Sequence, residues 1–258
     1  MKYLVILAGG LPSSINDDSV GIPKPMVDIG GRPLIWHIMK YYSQFGINDF
    51  IICAGYKSDM IKQYFLNYYI YRSDITIDLA ANKVEIHNNI TEPWNVTVLD
   101  TGINSTTASR VKQVKNYVGN DSFLITYGDC LSNIAVLDFI NEFEKGKKIM
   151  TAVVARPTGR NKILNISPSK DIIADTQKGD NHEAWTNACT MAVDCRIFDY
   201  LDCSDSLDIE TTKKLAIAHQ VNVYFHHGFW CPVETMRDKY YVENLWNTKQ
   251  AQWKIWND

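Results

Sequence analysis

The chain has 258 residues, of which 46% are hydrophobic and 21% charged, and its formal net charge is −3. That much apolar material fills one sizeable core, and the slight acidity excludes a basic field that would hold nucleic acid by its phosphates, so any nucleotide partner is expected to be a small molecule in a pocket. Six cysteines form no CxxC pair and no Cys/His cluster at zinc spacing, which argues against a zinc module and fits reduced thiols in a cytoplasmic protein.

The first ten residues are apolar, too short to span a bilayer, and lack the basic flank and cleavage site of a signal peptide. They read as a buried strand over 2–7 that ends in Ala8, Gly9 and Gly10. A buried strand followed by a glycine loop is a common opening of α/β nucleotide folds. The polar loop over 11–22 is then stiffened by Pro23, Lys24 and Pro25. Leu34, Ile38, Tyr42 and Phe45 repeat at helical spacing, with Pro33 expected at the first helical position and Gly46 as the cap. Strands are predicted at 50–53 and 96–99, with a helix over 59–69 between them and a helical-looking stretch at 111–117. A strand over 123–126, a helix over 134–143 and a strand over 149–155 follow. Beyond 155 the pattern loosens. Short strands are expected at 163–166 and 190–193, then a helix over 209–218, a strand over 221–225 and a last helix over 235–246. Alternating strands and helices predict an α/β protein with a mostly parallel sheet covered on both faces. Trp94, Trp230, Trp246, Trp253 and Trp256 are expected in the core or at subunit contacts.

Several residues could carry chemistry. Glycines after the first strand let backbone N–H groups approach a phosphate or a base, or simply make a tight turn. Two prolines hold Lys24 in a narrow range of directions, which suits a point charge aimed at phosphate and equally suits a solvated turn. The strand over 123–126 delivers Asp129 to the carboxyl edge of the sheet, where ligands bind in open α/β folds. There it could hold Mg²⁺ or cap a following helix. Glu234 could supply a second metal carboxylate or act as a first-turn acid of the last helix. Arg110 could meet phosphate or lie on the surface.

Six blocks stand in one order along nearly the whole chain: Leu-Ala-Gly-Gly (7–10), Pro-Lys-Pro-Met (23–26), Gly-Gly-Arg-Pro-Leu-Ile-Trp-His-Ile-Met-Lys (30–40), Glu-Pro-Trp-Asn-Val-Thr-Val-Leu-Asp-Thr-Gly (92–102), Thr-Tyr-Gly-Asp (126–129) and Gly-Phe-Trp-Cys-Pro-Val-Glu-Thr-Met-Arg-Asp-Lys (228–239). Together they resemble the sugar-phosphate nucleotidyltransferase family, and within it the bacterial glucose-1-phosphate cytidylyltransferases. The resemblance implies a Rossmann-like mixed sheet, mostly parallel, flanked by helices. It also implies one domain, with a nucleotide-binding half over roughly 1–130 and an acceptor-binding, oligomerising half over 131–258. The implied reaction is Mg²⁺-dependent transfer from CTP to a sugar 1-phosphate or related acceptor, giving a CDP-linked product and pyrophosphate, by a homo-oligomer that needs neither nucleic acid nor membrane.

By the same resemblance, Leu7, Ala8, Gly9, Gly10, Ser13, Lys24, Thr101, Gly102, Arg110, Gly128 and Asp129 would contact the nucleotide. Lys24, Arg110 and Asp129 would be the catalytic residues. Asp129 and Glu234 would hold Mg²⁺, and Tyr127, Asn187 and Lys178 would face the acceptor. The sequence departs from the family pattern at the glycine loop, where Pro12, Ser13 and Ser14 replace Gly-Thr-Arg. It also departs at the acceptor end: no lysine stands over 175–177, where the family's Glu-Lys-Pro segment falls, and Ala188 and Cys189 replace two glycines after Asn187. Glu234 stands where aspartate is usual. Three readings stay open: a working cytidylyltransferase with an altered acceptor, a nucleotide-binding relative that has lost turnover, and a related fold doing different chemistry on a nucleotide-linked substrate, for which no residue speaks.

Overall fold

The computed structural model describes residues 1–11, 21–88, 91–157, 166, 170, 172 and 184–257. Strand β1 (Tyr3–Ala8) leads through the 3-10 turn Lys24–Met26 to β2 (Asp28–Ile29), β3 (Arg32–Pro33) and helix α1 (Leu34–Ser43). Next come β4 (Asp49–Ala54), α2 (Ser58–Leu66), α3 (Tyr68–Arg72), the hairpin β5 (Asp74–Asp78) and β6 (Lys83–His87), β7 (Asn95–Asp100), α4 (Thr107–Lys112) and α5 (Lys115–Val118). The remainder runs β8 (Phe123–Tyr127), β9 (Cys130–Ser132), α6 (Val136–Gly146), β10 (Met150–Ala155), β11 (Thr186–Val193), the π-helical turn Leu207–Thr211, α7 (Thr212–Ile217), β12 (Val221–Phe225), β13 (Trp230–Pro232) and α8 (Met236–Asn247).

Seven strands form one twisted sheet in the order β12-β10-β11-β8-β1-β4-β7. Every pairing is parallel except those of β11, which runs against both β10 and β8. The sheet is the mixed, mostly parallel one expected. Its central strands are apolar on both faces because both are covered. Leu4 and Ile6 enter the core shared with α1 and α6, whereas Val5 and Leu7 enter the core shared with α4 and the segment around Phe198. Alternation is therefore invisible in β1 and β4, as buried parallel strands require. No helix among the described residues is long and apolar enough to cross a membrane.

Three expectations shift locally. Pro33 is the N-cap of α1, one residue before the position expected, and Gly46 closes the turn beyond it at φ +79°. The helix predicted over 59–69 is two helices meeting at Asn67 (φ −98°, ψ 2°), whose side chain bonds back to Gln63 O at 2.9 Å. The stretch over 111–117 is likewise split between α4 and α5. The strand expected over 163–166 lies outside the described residues except for Ile166, which forms an isolated bridge with Ile172.

The C-terminal segment closes the α1 face. Trp253 is fully buried and Trp256 nearly so, and Trp36, His37, Trp246, Trp253 and Trp256 pack edge-on and stacked around one another. The tryptophan indole N–H can only donate, so at 3.3 Å Trp253 Nε1 makes His37 Nδ1 an acceptor. His37 Nε2 then carries the proton and donates to Ile29 O at 2.9 Å. Burial pushes the pKa of His37 down from 6.5 to about 4. The unfolded chain thus binds the extra proton first. This group's contribution is full above about pH 6.5, declines as the pH falls, and is exhausted near pH 4, a swing of about 3 kcal/mol. The melting temperature, followed by circular dichroism, should fall between pH 7 and pH 5, and His37→Asn should flatten that part of the curve while lowering stability at pH 7.

Candidate active site

The carboxyl ends of the parallel strands open into a cleft of about 440 Å³. Leu7, Ala8 and Gly10 bring β1 and its loop to the wall, Lys24 and Pro25 come from the 3-10 turn, and Ser105, Thr107 and Arg110 from the start of α4. Tyr127, Gly128, Asp129 and Cys130 follow from β8 and β9; Thr186, Asn187 and Cys189 from β11; and Asp208 and Glu234 from the second half.

Backbone bonds fix the centre. Gly128 N–H donates to Leu7 O at 2.9 Å, which locks the end of β8 to the end of β1. A Cβ on Gly128 would stand 2.8 Å from the Pro25 ring, so glycine is what lets the Lys24 turn lie against this strand. Lys24 Nζ then reaches Asp129 Oδ2 at 3.3 Å, with both side chains largely withdrawn from solvent. The short sheet β9–β13 pairs Cys130 with Pro232, and Val233 N–H donates to Asp129 O at 2.8 Å. This ladder brings Glu234, distant in sequence, to the same cleft as Asp129. Neither acid is needed as a helix cap. Ala135 precedes α6, and α8 is capped by Thr235 with Asp238 in a reciprocal capping box. Among the described residues no three His, Cys, Asp or Glu side chains converge as a metal cage. Mg²⁺ shared with phosphate oxygens would need fewer protein ligands than such a cage, one or two carboxylates.

Arg110 is buried, with 4% of its surface exposed. Its guanidinium donates to Gly9 O (2.9 Å), Ala54 O (3.2 Å), Thr101 Oγ1 (2.6 Å) and Ile103 O (3.3 Å). Thr101 Oγ1 in turn donates to Ala54 O at 2.6 Å. Burial pulls the pKa of Arg110 down, although the group remains a cation. A Cβ on Gly9 would fall 2.1 Å from Arg110 Nη1. The cleft lining includes Arg110 but not Gly9, Thr101 or Gly102; Gly9 and Thr101 hold Arg110 in place.

At the other end, β11 bulges against β10 between Ala152 and Val154. Inside the bulge Cys189 takes φ +62°, a left-handed conformation that costs a side-chain-bearing residue. Asn187 Oδ1 accepts from Cys189 N–H at 2.8 Å and steadies it. Tyr127, expected to face the acceptor, lines the cleft and donates its hydroxyl to Asp208 Oδ1 at 2.6 Å.

The cleft thus collects Leu7, Ala8, Gly10, Lys24, Arg110, Tyr127, Gly128, Asp129, Asn187 and Glu234. Ser13 and Lys178 lie outside the described residues, as do Pro12 and Ser14. Ser105, Thr107, Thr186, Cys130 and Asp208 are cleft residues that sequence reasoning missed. The Thr-rich run before Arg110 was a signal for the first two; the isolated Asp208 offered none.

Comparison with known proteins identifies the family. The family model described as "Nucleotidyl transferase" matches residues 3–162. Glucose-1-phosphate cytidylyltransferase of Salmonella typhi is 41% identical over 256 residues, covering 98% of each chain. The probable glucose-1-phosphate cytidylyltransferase of Bacillus subtilis is 35% identical, covering 98% of this chain and 99% of its own. Among solved structures, HddC from Yersinia pseudotuberculosis complexed with GMP-PN superposes with a TM-score of 0.70 at 20% identity, over 95% of this chain and all of the other.

Gly9 and Arg110 form one lock, so their substitutions should not add. Arg110→Lys, which cannot make four fixed hydrogen bonds, should cost about 2–3 kcal/mol in urea unfolding. Gly9→Ala should cost a comparable amount, and the double variant little more than the worse single one.

Proposed function

Since the chain belongs to the nucleotidyl transferase family, we propose that it joins the cytidylyl group of CTP to a sugar 1-phosphate and releases pyrophosphate. The observation that carries this reading is one cleft lined by the Lys24–Asp129 pair, by Glu234 and by Asn187. Full-length similarity to cytidylyltransferases supports CTP as donor and makes glucose 1-phosphate the first acceptor to test.

A phosphate oxygen of the acceptor attacks the α-phosphorus of CTP in line. The new P–O bond forms as the bond to the β-phosphate oxygen breaks, and pyrophosphate leaves with its charge. No covalent enzyme intermediate is needed, so positioning and charge stabilisation do the work. The exposed backbone of Gly10 leaves room for the triphosphate beside β1. Lys24, held between Pro23 and Pro25, neutralises charge on the transferring phosphoryl group. Arg110 presents a fixed cation and keeps the ends of β1, β4 and β7 in register. Asn187 orients the acceptor. The carboxylates of Asp129 and Glu234 suit Mg²⁺, which takes one or two protein carboxylates and completes its shell with water and phosphate oxygens. When bound, that ion would offset the negative charge of the triphosphate.

The same reading includes self-assembly in the cytoplasm. The hairpin β5–β6 stands apart from the main sheet, and its register sets Ile75 opposite Ile86 and Ile77 opposite Val84 on one face. Ile77, Leu79, Val84 and Ile86 are all exposed. A lone two-stranded hairpin is marginal in water, and a second copy of the chain would cover this apolar face. All six cysteines are free thiols, in keeping with a reducing compartment.

With CTP, Mg²⁺ and glucose 1-phosphate the purified protein should release pyrophosphate. Asp129→Ala and Lys24→Ala should each lower kcat by at least about a hundredfold, and chelation of Mg²⁺ should abolish turnover reversibly. Release no greater than that of the Asp129→Ala variant, across a panel of sugar phosphates, would count against the reaction. In light scattering, Ile77→Asp combined with Val84→Asp should convert an oligomer to a smaller species; an unchanged mass would reject the hairpin as the contact.

A further inference from the structure

One carboxylate of the cleft takes no part in the chemistry above. Asp208 is the second residue of the π-helical turn Leu207–Thr211, and it is half-buried. The turn is pinned on two sides. Leu207 N–H donates to Thr107 Oγ1 at 2.7 Å, and Thr212 Oγ1 donates to Leu207 O at 2.8 Å. The side chain is pinned as well, since Oδ1 accepts from the Tyr127 hydroxyl at 2.6 Å. Burial first, and the charge of Asp208 second, hold the Tyr127 phenol neutral well beyond its ordinary range. Tyr127 therefore stays a donor, and its partner stays where it is put.

What remains free is informative. Among the described residues, Asp208 Oδ2 has no hydrogen-bond partner and Asp208 has no cationic partner. In the same cleft Asn187 spends its carbonyl oxygen on Cys189 N–H, so its NH₂ group has no partner among the described residues. A carboxylate oxygen only accepts, and an amide NH₂ only donates. A hydroxyl does both, so neighbouring hydroxyls on one carbon skeleton satisfy Asn187 and Asp208 together. A phosphate would suit Asn187 but be repelled by Asp208. A bare methylene would leave both groups desolvated and unpaired, which is how a polar site rejects a deoxy analogue.

We infer that Asp208 is a specificity-determining residue of the acceptor end, accepting a hydrogen bond from a ring hydroxyl of the sugar, with Tyr127 as its positioning residue. The inference rests on the cytidylyl-transfer reading for which end of the cleft takes the sugar. It assigns the phosphate to the Lys24 end and the polyhydroxyl skeleton to the Asp208 end. It also accounts for Tyr127, whose hydroxyl serves the carboxylate and not the sugar.

Calorimetric titration of the full chain with CDP-glucose and with CDP tests this without requiring turnover. The wild type should bind CDP-glucose more tightly than CDP. Asp208→Ala should weaken CDP-glucose by about tenfold to a hundredfold, the range for a hydrogen bond to a charged group, and leave CDP within about twofold. Asp208→Asn, which keeps the shape of the side chain, should lose about fivefold or more for CDP-glucose alone. Tyr127→Phe should fall between it and the wild type, again without affecting CDP. Equal weakening of both ligands would make Asp208 merely structural and overturn the inference, as would no change in either, or a wild type that does not prefer CDP-glucose. Where turnover is present, one monodeoxyglucose 1-phosphate should be a poor acceptor for the wild type and lose nothing further in Asp208→Ala; additive losses for every deoxy acceptor would also overturn it. Selective loss of CDP-glucose binding in a protein that releases no pyrophosphate would uphold the role of Asp208 while rejecting the reaction.

Discussion

The site depends on a buried cation bonded to neutral oxygens. The guanidinium of Arg110 gathers Gly9 O from the loop after β1, Ala54 O from the end of β4 and, through Thr101, the end of β7. Three parallel strands are thereby tied at their carboxyl ends to the first turns of α4. Such a charge is tolerated inside only when its donors are matched, and here at least four acceptors converge on it. Gly9 is glycine because the guanidinium occupies the space of its side chain. The backbone at Gly9, where the chain leaves β1, is thus shaped from beneath by a residue 101 positions away.

The second constraint is the β9–β13 ladder. Two strands of three residues each would be negligible in isolation, yet Val233 N–H bonded to Asp129 O sets where Glu234 falls relative to Asp129. The lysine turn is fixed against the same spot by the contact of Gly128 with Pro25. On the proposed reading the chemistry is modest and the positioning demanding, which suits an in-line displacement in which the protein forms no bond to substrate. The part of the cleft around Asn187 is built differently, from the antiparallel strand β11 and its bulge. Cys189 holds a left-handed conformation where the related pattern has glycine, so a side chain stands on the wall there.

Much of this was legible in the residues. The apolar runs at β1, β4, β8 and β10 are strong because both faces are buried, and the turn around Lys24 announces itself through two prolines. The placement of Asp129 followed from a strand ending in Gly-Asp. The burial of Arg110 did not, because nothing in Thr-Ala-Ser-Arg-Val-Lys distinguishes an inward arginine from a solvated one; only the tertiary meeting of Gly9, Ala54 and Thr101 does. The hairpin β5–β6 was missed although Asp-Ile-Thr-Ile-Asp and Lys-Val-Glu-Ile-His alternate at period two. The break inside 59–69 is hidden because the apolar spacing continues through Asn67, where a side chain bonded to the backbone divides the helix. Asp208 was invisible because its role lies in a contact with Tyr127, 81 positions away.

The central claim is that a nucleotide and a metal share the cleft between the loop after β1 and the Asp129–Glu234 pair. A crystal structure determined with CTP and Mg²⁺ tests it most directly. The account predicts a triphosphate running from Gly10 past Lys24, with one ion bridging its oxygens to the carboxylates of Asp129 and Glu234. A nucleotide seated outside this cleft, or an ordered triphosphate with the two carboxylates turned away from it, would contradict it.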